Sequence, residues 1–309
     1  MTEPPRPADS LKGHWTDRAP ARFTPYLRLS RLDRPAGWQL LYLPCMMGLG
    51  LAQTGEAIAW MHDATYAGAM LIGAIAMRGA GCTYNDIADQ KIDAQIARTR
   101  GRPLPSGQVS TRQAWAWLAA QCLIGLGVLL FLPPPATYTA LASLPFVAAY
   151  PFMKRFTWWP QAWLGVCFSW GALVAGAAVQ NQISAEIILL FLGCVAWVIG
   201  YDTIYALQDI EDDAIVGVRS TARLFGDKWR NWVYAFYAIA FALWIIAARV
   251  GGAHWLAPAL LVGLALLCSG QLERTNAAEP QSALAAFKAN VPLGIAIAFI
   301  FILAAILGE

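Results

Sequence analysis

Residues 78–107 read RGAGCTYNDIADQKIDAQIARTRGRPLPSG. The stretch leaves an apolar run and turns at once into oxygen-bearing side chains: Asn85, Asp86, Asp89 and Asp93. Positions four apart on a helix share a face, so Asn85, Asp89 and Asp93 line up, with Asp86 beside them. Like charges placed this way destabilise a helix by about a few tenths of a kcal/mol per pair. A hard divalent cation held by oxygen ligands offsets that repulsion. Lys91, Arg98, Arg100, Arg102 and Arg112 follow closely. Acids beside bases, at the end of an apolar run, suit a magnesium-bound diphosphate at a membrane edge.

A second stretch has the same character. Residues 201–226 read YDTIYALQDIEDDAIVGVRSTARLFG. Asp202 and Asp209 are seven apart and Asp213 is four further on, which on one continuous helix puts all three on a single face beside Tyr205. Arg219, Arg223 and Lys228 come next. Eight of the chain's 19 acidic residues fall in these two windows, a concentration that random placement does not give. One DxxxD in an acidic loop is ordinarily a solvated face. Two windows at equivalent places, each followed by bases, make that bland reading the weaker one.

The setting is a membrane. The chain has 309 residues, 58% of them apolar and 13% charged, against roughly 45–50% and 25% for soluble domains. Nine apolar runs approach the ~20 residues that cross a hydrocarbon core. They fall near 37–52, 64–84, 114–132, 138–152, 161–179, 185–205, 231–250, 255–270 and 289–307. The expected fold is therefore an all-α, polytopic membrane protein of about nine transmembrane helices. Residues 35–309 form its transmembrane domain. Residues 1–34 form a cytoplasmic tail that ends in a surface-lying segment, Phe23 to Arg34. The tail has no apolar core of a secretory signal, and Glu3, Asp9 and Asp17 argue against a mitochondrial transit peptide. Pro133, Pro134 and Pro135 are expected to form a rigid hinge.

Charge distribution orients the spans. With the N-terminus inside, 20 of the 22 Lys and Arg residues fall on the cytoplasmic side, as the positive-inside rule requires. Only Arg249 lies opposite, and Arg78 sits inside the second span. Both acidic windows then face the cytoplasm, after the second and sixth spans. That spacing suggests a four-span repeat whose acidic ends meet across a central cavity. The bases flank carboxylates instead of forming an aromatic-interleaved patch, so no nucleic-acid partner is expected. The six cysteines form no CxxC pair and the three histidines are scattered, so no zinc centre is expected.

These residues define a chemistry. Magnesium takes few carboxylates, plus phosphate oxygens and water. Arg and Lys complete a phosphate clamp. The substrate is expected to be both phosphorylated and apolar, since the cavity opens into lipid, and a polyprenyl diphosphate fits. Its departure as diphosphate leaves an allylic cation, which aromatic faces such as Tyr201 and Tyr205 stabilise. Arg78 is costly inside a span, and such residues are functional by default, though pairing with the aspartates is the structural alternative.

The motifs also resemble a known family. NDxxDxxxD at Asn85–Asp93 with RTxxRPLxxG at Arg98–Gly107 resembles the first signature of the UbiA superfamily of intramembrane prenyltransferases. YDTxYAxxDxxDD with GxxST, at Tyr201–Thr221, resembles the second. YPFMKRFTWWPQ at Tyr150–Gln161 and RLDRPAGWQLLYLP at Arg31–Pro44 look like the 4-hydroxybenzoate polyprenyltransferase branch. The resemblance implies a nine-helix bundle. It also implies Mg²⁺-dependent transfer of a polyprenyl chain to the ring carbon ortho to the hydroxyl of 4-hydroxybenzoate, a step of ubiquinone biosynthesis. Composition and the N-terminal tail favour a bacterial inner membrane over a mitochondrial one. Carried over by motif, the metal ligands are Asn85, Asp89, Asp93, Asp209 and Asp213. The diphosphate contacts are Lys91, Arg98, Arg102, Lys154 and Arg155. Asp89, Asp209, Asp213 and Arg155 form the expected catalytic set. The acceptor contacts are Arg78, Arg34 and Tyr205, Arg78 being favoured for the carboxylate because it lies one to two turns above Asn85.

Two other readings differ in function. A prenyltransferase of the same superfamily with another acceptor is disfavoured by the MKRFT stretch. A transporter using intramembrane carboxylates predicts charges near mid-span, whereas here the acids cluster at span ends. A soluble prenyl synthase with aspartate-rich motifs is excluded by the spans.

Overall fold

The structure, a computed structural model, describes residues 10–11, 13–54, 60–96, 99–215 and 217–308. Among them there is no strand. In chain order the helices are α1 (Thr24–Leu29), α2 (Ala36–Ala52), α3 (Trp60–Asp93), α4 (Thr111–Leu129) and α5 (Pro134–Ala142). Then come α6 (Leu144–Phe156), α7 (Pro160–Gln180), α8 (Ala185–Ala206), α9 (Ile210–Ile215) and α10 (Thr221–Phe225). The chain ends with α11 (Trp229–Val250), α12 (Leu256–Glu273), α13 (Pro280–Lys288) and α14 (Asn290–Leu307).

Each expected apolar span coincides with a helix or, in one case, a helix pair. Among the described residues, four stretches are long and apolar enough to cross a membrane: Pro160–Gln180, Ala185–Asp209, Thr221–Val250 and Pro280–Leu307. Ala36–Ala52 and Leu256–Gly270 are apolar but shorter. Large apolar side chains stay exposed along several helices, among them Leu123, Leu266, Leu267 and Phe299. In a helix of this composition such exposure is contact with lipid. The fourth expected span, 138–152, is not one helix. It breaks at Ser143, which ends α5 and begins α6. Pro145 follows, and proline removes a helical donor and crowds the carbonyl four residues back. The proline run marks the start of α5, with Pro133 as its N-cap and Pro134 in its first turn, where a missing N–H costs nothing.

By internal contacts the chain divides into two compact units, Met1–Gln39 with Leu71–Leu130, and Leu40–Met70 with Phe131–Glu309. The first unit is small. Its core is Leu29, Leu104, Val109 and Ala114, with Tyr26, Ile87 and Trp117 packed against it. α4 starts at a capping box: Gln113 N donates to Ser110 Oγ at 3.3 Å, and Ser110 N donates to Gln113 Oε1 at 2.9 Å. The segment expected at the surface is buried from Leu29 to Arg31 and again at Asp33. The Ser30 hydroxyl explains part of this, since Trp117 Nε1 and Gln121 Nε2 donate to it at 2.8 and 2.7 Å.

The second unit is built on α8, which packs against α7, α11 and α13. Trp197 and Trp244 are fully buried and meet edge to face, ring centroids 5.8 Å apart. α8 and α11 approach closely because Gly193 has no side chain. A Cβ there would lie 2.6 Å from Trp244 Cδ1 and 3.1 Å from the Ala240 carbonyl oxygen.

Candidate active site

The acidic residues of the first window all lie on one helix. α3 does not stop where its apolar part ends but continues to Asp93. Asn85, Asp89 and Asp93 thus share a face. Asp86, Asp89 and Asp93 are buried at 0, 1 and 5% exposure, and Asn85 is half-buried. Buried carboxylates need compensating partners. Two arginines supply them for Asp86 and Asp93. Arg31 Nη2 donates to both Asp86 oxygens at 2.7 and 2.9 Å. Arg102 Nη1 donates to Asp93 Oδ2 at 2.7 Å and lies 3.3 Å from Asp86 Oδ1. The Thr99 hydroxyl donates to the Asp93 carbonyl at 2.8 Å, so the loop after α3 folds back on the helix end.

Arg31 adopts a left-handed backbone, φ 57°, which is rare outside glycine and asparagine. Burial pulls its guanidinium down, but the Asp86 carboxylate outweighs that and holds it above its ordinary value. Burial pushes the Asp93 carboxyl up, Arg102 pulls it back in part, and the net position is above the usual carboxylate range.

The other expected residues of this unit are distributed as follows. Arg102 is the ion-pair bridge just described. Lys91 is exposed, and Arg98 lies outside the described residues. Arg34 Nε is 3.5 Å from Asp33 Oδ2, and Asp33 is fully buried. The guanidinium of Arg78 lies against Gly37, where a Cβ would come within 2.7 Å of Nε. Gly37 is thus the residue that admits this side chain.

The second window differs from expectation. α8 ends at Ala206, a 3₁₀ turn covers Leu207–Asp209, and α9 resumes at Ile210. A 3₁₀ turn rotates about 20° more per residue than an α-helix, so three residues shift the face by roughly 60°. Asp202, Asp209 and Asp213 therefore do not lie on one continuous α-helical face. Asp202, Tyr205, Asp209 and Asp213 are all half-buried. The Asp213 carbonyl accepts from Val218 N at 2.9 Å and from Arg223 Nη1 at 3.3 Å.

The MKR stretch ends α6. Lys154 is half-buried, and Arg155 is exposed with its guanidinium 5.5 Å over the Phe152 ring. Its turn to α7 is knitted to the second window. Arg219 N donates to the Lys154 carbonyl at 3.1 Å, and Arg219 Nη1 donates to the Phe156 carbonyl at 2.8 Å. Thr221 N donates to Gln161 Oε1 at 3.0 Å.

Several residues at these places are not evident from sequence spacing. Arg31 is separated from Asp86 by 55 positions. Phe287, on the short helix α13, packs on Tyr205 and Tyr201 with centroids 4.7 and 5.8 Å apart. Asn290 Oδ1 accepts from Trp197 Nε1 and Tyr237 OH, both at 2.8 Å. Each pairing joins separate segments, so no local pattern marks it. The one available hint was composition: polar residues such as Asn290 in a strongly apolar run.

Among the described residues, no three His, Cys, Asp or Glu side chains form a ready-made metal cage. The candidate ligands in the two windows are four carboxylates and the amide carbonyl of Asn85. That set fits a hard ion which keeps much of its water and takes oxygens from a phosphate, as Mg²⁺ does. It does not fit zinc.

Fold and site together describe a multi-pass α-helical membrane protein carrying two aspartate-rich windows with adjacent bases. A family model, the UbiA prenyltransferase family, matches residues 41–300, and the chain belongs to that family. The Saccharomyces cerevisiae protein named 4-hydroxybenzoate polyprenyltransferase, mitochondrial, is 37% identical over 286 residues, 92% of this chain and 77% of that protein. The Rattus norvegicus and Homo sapiens proteins of the same name are 43 and 42% identical over 75 and 76% of this chain. Those alignments span 62 and 63% of the two mammalian proteins' lengths. A solved UbiA homologue from Aeropyrum pernix K1 superposes with a TM-score of 0.65 at 27% identity, over 87% of this chain and 97% of that one. A UbiA homologue from Archaeoglobus fulgidus, solved bound to GPP and Mg²⁺, has the same fold, with a TM-score of 0.66 at 21% identity over 90% of this chain and 99% of that one.

Proposed function

We propose that this protein is a 4-hydroxybenzoate polyprenyltransferase. It transfers a polyprenyl group from polyprenyl diphosphate to the ring carbon ortho to the hydroxyl, a step of ubiquinone biosynthesis. The observation that carries the reading is the buried carboxylate set at the end of α3 in a chain of this family. The 37–43% identity to the yeast, rat and human proteins of that name supports the acceptor.

Asn85, Asp89 and Asp93 from the first window, with Asp209 and Asp213 from the second, supply the oxygen ligands. Mg²⁺, when bound, neutralises the diphosphate and stabilises the charge it carries on leaving. Lys91, Arg98, Lys154 and Arg155 add positive charge for the same anion, with Arg155 giving a planar fork to phosphate oxygens. Arg102 joins them by exchanging a carboxylate partner for phosphate. The allylic C–O bond breaks with its electron pair going to the diphosphate, the new C–C bond forms at the ring, and the ring proton passes to the released diphosphate or to an aspartate of the site. The aromatic face of Tyr205, backed by Phe287, stabilises the developing cation. Arg78 binds the acceptor carboxylate, with Arg34 as a second cation. The apolar surroundings keep water from the cation. The charge asymmetry of the loops supports acidic windows facing the cytoplasm, and the composition and acidic N-terminal tail are the grounds on which we propose a bacterial inner membrane.

The test uses purified membranes containing the full chain, a polyprenyl diphosphate and labelled 4-hydroxybenzoate, with Mg²⁺ or with EDTA. Product forms with Mg²⁺ and not with EDTA. Asp89→Ala and Asp209→Ala each lower turnover by about 10²-fold or more, as expected for loss of a preorganised electrostatic contact. Diphosphate release without prenylated 4-hydroxybenzoate makes the acceptor wrong. No turnover of any prenyl diphosphate by folded protein makes the enzyme reading wrong.

A further inference from the structure

Lys154 and Arg155 on one side, and Asp213 on the other, come from segments some 60 positions apart. Something must hold their spacing, because a clamp on a diphosphate works only when cations and metal ligands stay in register. Within the second unit the connection is specific. Val218–Thr221 lies beside the turn between α6 and α7. Arg219 binds that turn twice, through its backbone N–H to the Lys154 carbonyl and through its side chain to the Phe156 carbonyl. Arg223 reaches back to the carbonyls of Asp213 and Val218. The guanidinium groups of both arginines lie over one ring, that of Trp158, at 5.8 Å for Arg219 and 5.4 Å for Arg223.

Two like charges sharing one surface repel. Here the Trp158 π face and three backbone carbonyls, those of Phe156, Asp213 and Val218, draw them together. Val218 and Arg219 link the Lys154 backbone to the Asp213 backbone directly, and the Trp158 indole ties the two arginine side chains onto that link. A separate set of contacts holds the same region as structure. Thr221 N bonds Gln161 Oε1, Thr221 and Thr203 share a hydroxyl hydrogen bond of 2.6 Å, and Ser220 caps α10. Trp159 packs on Phe225 and Phe236. Trp158 takes part in none of these and is 38% exposed. Its ring carries the cation–π contacts to the two arginines, so its effect falls on their position.

We propose that Trp158 and Arg219 are positioning residues of the diphosphate site, holding the Lys154–Arg155 pair in register with Asp213. The proposal rests on the prenyl-transfer reading above. It concerns the diphosphate and metal half of the reaction and leaves the acceptor half alone.

The experiment compares Trp158→Ala, Trp158→Phe and Arg219→Gln with the wild type in detergent. Steady-state rates give KM for geranyl diphosphate, half-saturation by Mg²⁺, and KM for 4-hydroxybenzoate. Thermal shift with Mg²⁺ and inorganic diphosphate reports binding without turnover. Trp158→Ala is expected to raise KM for the diphosphate and Mg²⁺ half-saturation roughly tenfold, the scale of a partly desolvated cation–π contact. KM for 4-hydroxybenzoate stays within about twofold, inside the usual spread of a surface change. Trp158→Phe keeps a π face and restores most of the loss. Arg219→Gln keeps its backbone bond to Lys154 and shows the same pattern should Trp158→Ala fail to fold. The proposal is overturned if the diphosphate and Mg²⁺ values of Trp158→Ala match wild type. It is also overturned if both substrates' KM values rise together with no rescue by phenylalanine. Wild-type protein that binds Mg²⁺ and diphosphate but makes no prenylated 4-hydroxybenzoate sinks the functional reading. The thermal-shift comparison then still decides the role of Trp158.

Discussion

Asp86 lies between Asn85 and Asp89, and by type alone it is as good a metal ligand as either. Its surroundings give it another task. It is fully buried, both its oxygens accept from Arg31, and Arg102 lies within 3.3 Å. Asp86→Ala leaves the Arg31 guanidinium buried with its main partner gone, which costs about 3–5 kcal/mol in comparable buried pairs. Chemical denaturation in detergent should show that loss. Asp89→Ala is expected to lose Mg²⁺-dependent stabilisation while keeping its stability in EDTA. Replacing the pair by apolar side chains, Arg31→Met with Asp86→Leu, is expected to recover much of the deficit, because a well-packed apolar pair avoids the desolvation of two charges. Wild-type stability in Asp86→Ala, with a weakened Mg²⁺ response, would make Asp86 a metal ligand after all. The acidic face itself was legible, because Asn85, Asp89 and Asp93 obey a four-residue period on a helix that runs through them. The partner of Asp86 was not. Any of seven arginines and lysines before residue 36 satisfies the local pattern, and only tertiary folding selects Arg31.

Among the elements, α8 shows what an apolar sequence does and does not disclose. Its existence follows from 22 residues of mostly apolar character. Its packing follows from residues with no pattern. Gly193 faces Trp244 across the α8–α11 contact, and an added Cβ would sit inside van der Waals distance of both the indole and the Ala240 carbonyl. Gly193→Ala is therefore expected to destabilise by about 1–3 kcal/mol despite its better helix propensity, since overpacking a filled core forces side chains off their rotamers. A lower unfolding temperature in detergent, with the far-UV spectrum unchanged, is the expected result. A raised one would mean that the α8–α11 contact is looser than its geometry. Element ends were harder to read than element bodies. The 3₁₀ turn at Leu207–Asp209 and the break at Ser143 are both absent from hydropathy, which averages over more residues than either occupies. The short helices α10 and α13 were missed for the same reason. Phe287 consequently went unnoticed, although it packs directly on Tyr205.

At the scale of the whole molecule the deciding quantity is charge. The net value of +3 is small, but the bases are gathered in alternate loops, and juxtamembrane Lys and Arg set which loops stay in the cytoplasm. Within the second unit the assignment is testable at two exposed positions. Ala278 lies in the connection before α13, flanked by Arg274 and Lys288. Trp255, 65% exposed, lies in the connection after α11, near Arg249. All six native cysteines are free, so each probe belongs in a background where they are replaced. In sealed, right-side-out vesicles a membrane-impermeant maleimide should label Trp255→Cys and leave Ala278→Cys untouched until the vesicles are opened. The opposite pattern would invert every loop together. Because α12 alone separates the two positions, labelling of both from outside would mean that α12 does not cross, and the parity of every later connection would change with it. The expected pattern puts the bases of the α6–α7 turn, the second acidic window and the α12–α13 connection on one side. Under the proposed function, that is the side where a water-soluble aromatic acid and Mg²⁺ would meet a lipid-borne diphosphate.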